Sequence, residues 1–142
     1  MKQLTIEDVE VGTQLPALLV KPTTVQLMQY CAATWNTHRI HYDQAYASEE
    51  GYPGVLVQSH LHQAFLTRIC TDWMGPAGRL KRLANEVRRF AIPGDELRVE
   101  GVVTDLNVGD RVAHIELKEV RLSDEVICAH GTAEVQLPRA NP

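Results

Sequence analysis

"VQSHLHQAFLTRICTDWMGP", Val57–Pro76, is the stretch on which the fold turns. Leu61, Ala64, Phe65, Ile69 and Trp73 recur at helical spacing, and Leu66, Cys70 and Met74 widen the stripe. A stripe that broad is apolar over much of a helix's circumference, so a buried helix is expected here. Gly75–Pro76 stops it.

After Gly78 the period changes from helical to alternating. The alternating runs are separated by "IPGD" (Ile92–Asp95), "LNVGD" (Leu106–Asp110) and "LSDE" (Leu122–Glu125), which are turn signals. They predict four antiparallel strands of about ten residues each, arranged as a meander. Upstream, Gln14–Lys21 reads as a strand. "KPTTVQLMQYCAATW" (Lys21–Trp35) reads as a helix capped by Thr23 or Thr24, with Val25, Met28, Tyr30, Cys31 and the alanines toward the core. "YDQAYASEEGYPGV" (Tyr42–Val55) reads as a short helical turn and a Gly/Pro break. One long helix wrapped by a curled antiparallel sheet is an α+β layout. The exposed edges of such a sheet invite a second subunit.

The 142 residues suit a single domain spanning 1–142, with 44% apolar and 23% charged residues. The net charge of -4 and the lack of a basic face argue against a nucleic-acid binder. The three cysteines, Cys31, Cys70 and Cys128, are widely spaced and form no CxxC. They read as buried, reduced packing thiols of a cytoplasmic protein. No signal peptide and no membrane span is expected.

The chemistry concentrates in "TWNTHRIHYD", Thr34–Asp43, where two histidines, an asparagine and an aspartate crowd into one short segment. A metal site would draw on His38, His41, His60, His62 and Asp43. However, His60 and His62 are two apart on the predicted helix, about 200° around its axis, so they do not face one ion. No metal is therefore assigned. His38 reads as a structural loop residue, His114 and His130 as surface or cross-strand residues, and Arg79–Lys81–Arg82 as a solvated basic face.

Three segments carry a family resemblance: "NTHRIHYDQAYA" (Asn36–Ala47), "GYPGVLVQSHLHQAFLT" (Gly51–Thr67) and "RRFAIPGDELRVEGVV" (Arg88–Val103). Over nearly its whole length the chain resembles the MaoC-like, hot-dog-fold enoyl-CoA hydratases and dehydratases of the R-specific hydratase 2 type. The resemblance implies five or six antiparallel strands around a central helix. It also implies a dimer and a site near the dimer interface. The implied reaction is syn hydration of a trans-2-enoyl thioester, or the reverse dehydration of a 3-hydroxyacyl thioester, in fatty-acid or steroid metabolism. Coenzyme A is then part of the substrate, and no separate cofactor is implied.

By this resemblance His41 takes the position of the family's general base. Asn36 stands where the family usually has an aspartate and is left to position water. The backbone N–H of Ser59 is the expected oxyanion donor, with Thr67 and Asp43 as supporting groups and Arg88 as a contact for coenzyme A. Two alternatives stay open. "TDWMGP" (Thr71–Pro76) is similar to a phrase of the small subunit of actinobacterial steroid side-chain hydratases. That would make the chain a supporting subunit of a heteromer with a second hot-dog chain. A hot-dog thioesterase is the other alternative, but the first half of the central helix lacks the carboxylate such enzymes commonly use.

Overall fold

The computed structural model describes residues 3–140. In chain order its regular elements are strand β1 (Leu18–Val20), helix α1 (Thr24–Thr34), helix α2 (Gln44–Glu49), helix α3 (Ser59–Met74), and strands β2 (Arg79–Val87), β3 (Leu97–Asn107), β4 (Val112–Arg121) and β5 (Val126–Gln136). The central helix forms as the apolar spacing demands. Leu61, Phe65, Leu66, Ile69 and Cys70 are buried on one side, and the helix ends at Gly75 with φ 71°. The opposite side, with Ser59, His60, Arg68, Thr71 and Asp72, is exposed, so the helix is half rather than wholly buried.

The five strands form one antiparallel sheet in the order β1-β3-β4-β5-β2. Inward positions alternate along β4 as Ala113, Ile115, Leu117 and Glu119, and the first three join Val99, Val103, Ala133 and Val135 in a core against α3. The fold is α+β, with a curled half-barrel sheet wrapped on a helix, which is the expected hot-dog architecture.

Three sequence readings need correction. β2 does not pair with β3; it pairs with β5 and forms an edge, so only β3–β4–β5 is a meander. The "IPGD" turn is tight, with Asp95 Oδ2 accepting from Ile92 N–H at 2.9 Å and Gly94 at φ 95°. It nevertheless carries the chain from one edge of the sheet toward the other instead of closing a hairpin. In α1, capped by the Thr23 side chain, the one buried residue is Leu27, while Val25, Met28, Ala32 and Ala33 are exposed and Tyr30 and Cys31 half-buried. The run Gln14–Lys21 is extended, but only Leu18–Val20 is a strand, beside a single bridge from Gln14 to Val102. Cys70 and Cys128 are buried, Cys31 is half-buried, and all three are free thiols.

β2 sits so close to β5 that a Cβ at Gly131 would lie 2.2 Å from the Ala84 carbonyl oxygen. Only glycine permits that approach.

Candidate active site

The segment between α1 and α2 is built by short polar side chains closing backbone turns. Trp35 ends α1 in the left-handed conformation, φ 52°, and its N–H and that of Asn36 both donate to Cys31 O. Asn36 Oδ1 accepts from His38 N–H at 3.3 Å, the local bond that makes asparagine a turn residue. His38 Nδ1 in turn accepts from Ile40 N–H at 3.3 Å and opens a single 3-10 turn, Arg39–His41. His38 is thus a structural residue, as its sequence context indicates.

Asp43 caps α2, accepting from Tyr46 N–H at 3.1 Å through Oδ1. Its Oδ2 accepts from Arg39 Nε at 3.0 Å and Nη2 at 2.7 Å. The Arg39 guanidinium holds the Asp43 carboxyl below the usual carboxylate range and lies 4.7 Å from the Tyr46 ring centre. Asp43 therefore braces the turn that carries His41. Sequence reasoning missed Arg39, the other half of the brace, although its i, i+4 spacing to Asp43 was a signal. Trp35, Asn36, Thr37, His38, Arg39 and Tyr46 line an open depression of about 510 Å³.

His41 is half-buried, with Nδ1 2.9 Å from Leu56 O. A carbonyl oxygen only accepts, so Nδ1 carries the hydrogen and the lone pair of the neutral ring sits on Nε2. Burial lowers the pKa of His41 below its ordinary 6.5; the Leu56 hydrogen bond opposes that shift and nearby His38 adds to it. Leu56 N–H returns the contact by donating to Ile40 O at 2.9 Å. Three residues on, Ser59 begins α3. Among the described residues nothing accepts from the N–H groups of Ser59 and His60. Free N–H groups and the positive end of a helix dipole suit a developing negative charge.

The structure thus gathers Asn36, His41 and Asp43 on one turn and joins that turn to the approach of Ser59. The other two expected residues lie on other elements, each with a local partner. Thr67 lies eight residues down α3, about 12 Å along its axis, and donates to Gln63 O. Arg88 lies one residue past β2, not within it, and pairs with Glu86 at 2.7 Å.

His60 and His62 do point apart: His60 is exposed and His62 fully buried. His62 Nδ1 lies 2.6 Å from Glu119 Oε1, and Glu119 is fully buried as well. This pair was missed, yet a charged residue at an inward position of the "VAHIELKEVR" alternation was its signal. It also places a carboxylate against the first half of α3, where the sequence of that helix has none. His130 is exposed and His114 half-exposed, both on strands as expected. Burial pushes the Cys70 thiol up to about 12 and the Cys128 thiol up to about 11, so both are inert packing groups. Among the described residues no three His, Cys, Asp or Glu side chains group as metal ligands, and no helix is long and apolar enough to cross a membrane.

The model of the family described as hydroxyacyl-thioester dehydratase type 2 matches residues 10–86, more than half of the chain, including the turn from Asn36 to Asp43 and the start of α3. The chain belongs to the hydroxyacyl-thioester dehydratase type 2 family. A curated relative, mesaconyl-C(4)-CoA hydratase of Chloroflexus aurantiacus, is 45% identical over 51 residues. That match spans 35% of this chain and 18% of the relative, so it covers about a fifth of the relative's length. Solved structures show the same fold. R-hydratase PhaJ1 of Pseudomonas aeruginosa superposes with a TM-score of 0.89 at 19% identity, over 97% of this chain and 88% of that one. A chain of the ChsH1–ChsH2 complex of Mycobacterium tuberculosis superposes at 0.82 and 21% identity, over 90% and 98%. This family member is thus a hot-dog protein of the hydratase/dehydratase type, and the names of its family and its relative are those of hydro-lyases.

Proposed function

We propose that the chain is a hydro-lyase interconverting a trans-2-enoyl-CoA and its 3-hydroxyacyl-CoA, with His41 as the general base. The observation that carries this reading is the His41 ring, whose Nδ1–H is held by Leu56 O so that Nε2 is a fixed, unprotonated acceptor. In the hydration direction Nε2 takes a proton from water as the water oxygen bonds to C3. The thioester oxygen gains enolate charge, which the Ser59 N–H stabilises. The imidazolium then returns its proton to C2, so one ring serves both transfers on one face of the double bond. Asn36 Oδ1 has a second lone pair, free beside the one taken by His38 N–H, that accepts the water's other hydrogen.

The test is loss of conjugated-enoyl absorbance with a panel of short, branched and steroid-like trans-2-enoyl-CoA thioesters, for wild type and His41→Ala. Turnover that falls by about 10²–10⁴ in the variant is expected. Turnover unaffected by His41→Ala refutes the assignment.

The replacement of aspartate by Asn36 favours a second reading, that the chain supports the site of a different hot-dog subunit. On that reading the chain alone turns nothing over, the pair does, and His41→Ala leaves the pair's rate intact. Coenzyme A as the acyl carrier, a homodimeric or heteromeric assembly and a cytoplasmic setting belong to the same proposal.

A further inference from the structure

Gln58 stands at the N-cap of α3, fully buried, yet its side chain makes no cap bond to its own helix. Serine, threonine, aspartate or asparagine would serve a cap better, so this glutamine answers another need. Its Nε2 reaches across to α1, donating to Leu27 O at 2.9 Å and to Cys31 Sγ at 3.0 Å.

α1 has little else to hold it. Leu27 is its one buried residue. Among the described residues, the two contacts from Gln58 are the only hydrogen bonds from the rest of the fold to α1, apart from those at its two ends. Cys31, which takes one of them, also supplies the carbonyl on which Asn36 N–H hangs, at 2.9 Å. Two residues before Gln58, Leu56 holds the His41 ring. One residue after it, Ser59 presents its free N–H. Leu56–Ser59 thus hold the His41 ring and contain the Ser59 N–H, and among the described residues Gln58 makes their hydrogen bonds to the helix from which Asn36 hangs.

We propose that Gln58 is a positioning residue: its side-chain amide holds α1, and with it Asn36, in register with His41 and the Ser59 N–H. This rests on the hydratase reading for its catalytic consequence but not for the tether itself. A displacement on the order of 1 Å at a reacting group costs up to about 10² in rate, and Gln58 supplies the hydrogen bonds that fix α1, at the Asn36 end of the turn, against the start of α3. The acceptor atom Gln58 Oε1 has no partner among the described residues, so the donor end carries the role.

The experiment uses Gln58→Met in the full chain, which keeps length and bulk and removes the N–H donor. Two readouts are taken: amide hydrogen exchange, and kcat against KM on the best enoyl-CoA of the panel. The expected exchange result is faster exchange across α1 and at Asn36 N–H, with α3 and β3–β5 as protected as in wild type. The expected kinetic result is a kcat lowered about tenfold or more with KM changed little. Unchanged exchange in α1 overturns the tether, whatever the activity. Faster exchange with unchanged kcat overturns the positioning role and leaves a packing contact. A wild-type chain with no turnover tells against the hydratase reading, and the exchange result alone then decides the tether.

Discussion

The pair His62–Glu119 offers the sharpest energetic test of how α3 is seated on the sheet. Both side chains are fully buried and meet at 2.6 Å, and neither His62 Nε2 nor Glu119 Oε2 has a partner among the described residues. Glu119→Leu removes the one partner of the buried imidazole. Breaking a buried pair in this way costs about 3–5 kcal/mol. Unfolding entropy of about 2.1 cal/mol/K per residue gives a chain of this size about 0.3 kcal/mol/K, so the melting temperature falls by roughly 10–17 °C. His62→Leu costs a similar amount by leaving the carboxylate unpartnered. The double variant leaves no orphan, and each leucine adds about 1.5–3 kcal/mol of apolar burial. It is therefore expected at or above wild-type stability, as apolar replacement of a buried pair often is. Urea or thermal unfolding of all four proteins closes the cycle, with a coupling of about 6 kcal/mol or more in magnitude, the sum of the two single losses that the double variant escapes. If the double variant loses the sum of the two single losses, the pair is not a unit and the reasoning fails.

Other outcomes follow from the same structure. Because burial favours neutral His41, its base form persists further into acid, and the acid limb of log kcat/KM is expected with its midpoint below 6.5; a midpoint above 6.5 contradicts this. The same shift gives the folded state a contribution that is complete above pH 6.5 and is lost as pH falls through the lowered pKa, so His41→Asn removes that part of the acid sensitivity in unfolding measured against pH. Gly131→Ala forces β2 away from β5, because the added Cβ would meet Ala84 O; overpacking of this kind costs about 1–3 kcal/mol or more, read by urea unfolding and by faster amide exchange along β2. Asn36→Asp restores a carboxylate beside His41; kcat is expected to rise and the acid limb to move up, since a nearby negative charge favours the imidazolium, and a fall in kcat with no movement of the limb argues against Asn36 at the water.

Apolar spacing is a local property, and what depended on it was readable. The register of Leu61, Phe65 and Ile69 announced α3, and the three turn signals bounded β2 to β5 within a few residues. Spacing does not say which side of a helix meets the core, so Val25 and Met28 were placed inward when they face solvent. Nor does a tight turn say where the chain goes next. "IPGD" has the local bonds of a turn, but β2 is claimed by β5, far on in sequence, with Arg79 opposite Gln136 and Val87 opposite Ala129, through the close approach at Gly131. The site divides the same way. His41 and Asn36 could be proposed from sequence because side-chain chemistry is written in residue type. The group that orients His41 is the backbone oxygen of Leu56, and no residue type encodes a backbone carbonyl.

That division bears on what Asn36 means. Asn36 Oδ1 is already a structural acceptor, closing the turn onto His38 N–H, a task aspartate would perform equally well. The turn geometry therefore does not require asparagine, and its presence is a matter of chemistry. An amide at this position gives His41 no negative neighbour: Asp43, the nearest carboxylate on the turn, is committed to Arg39. Burial is opposed by the Leu56 hydrogen bond but by no carboxylate, and it prevails, so the ring stays a neutral acceptor rather than half of an ion pair. On the proposed reading, with His41 as the base, such a site has one titrating group and one proton to move. It suits a reaction in which the proton taken from water is the proton given to carbon, and it suits poorly one that needs a separate acid.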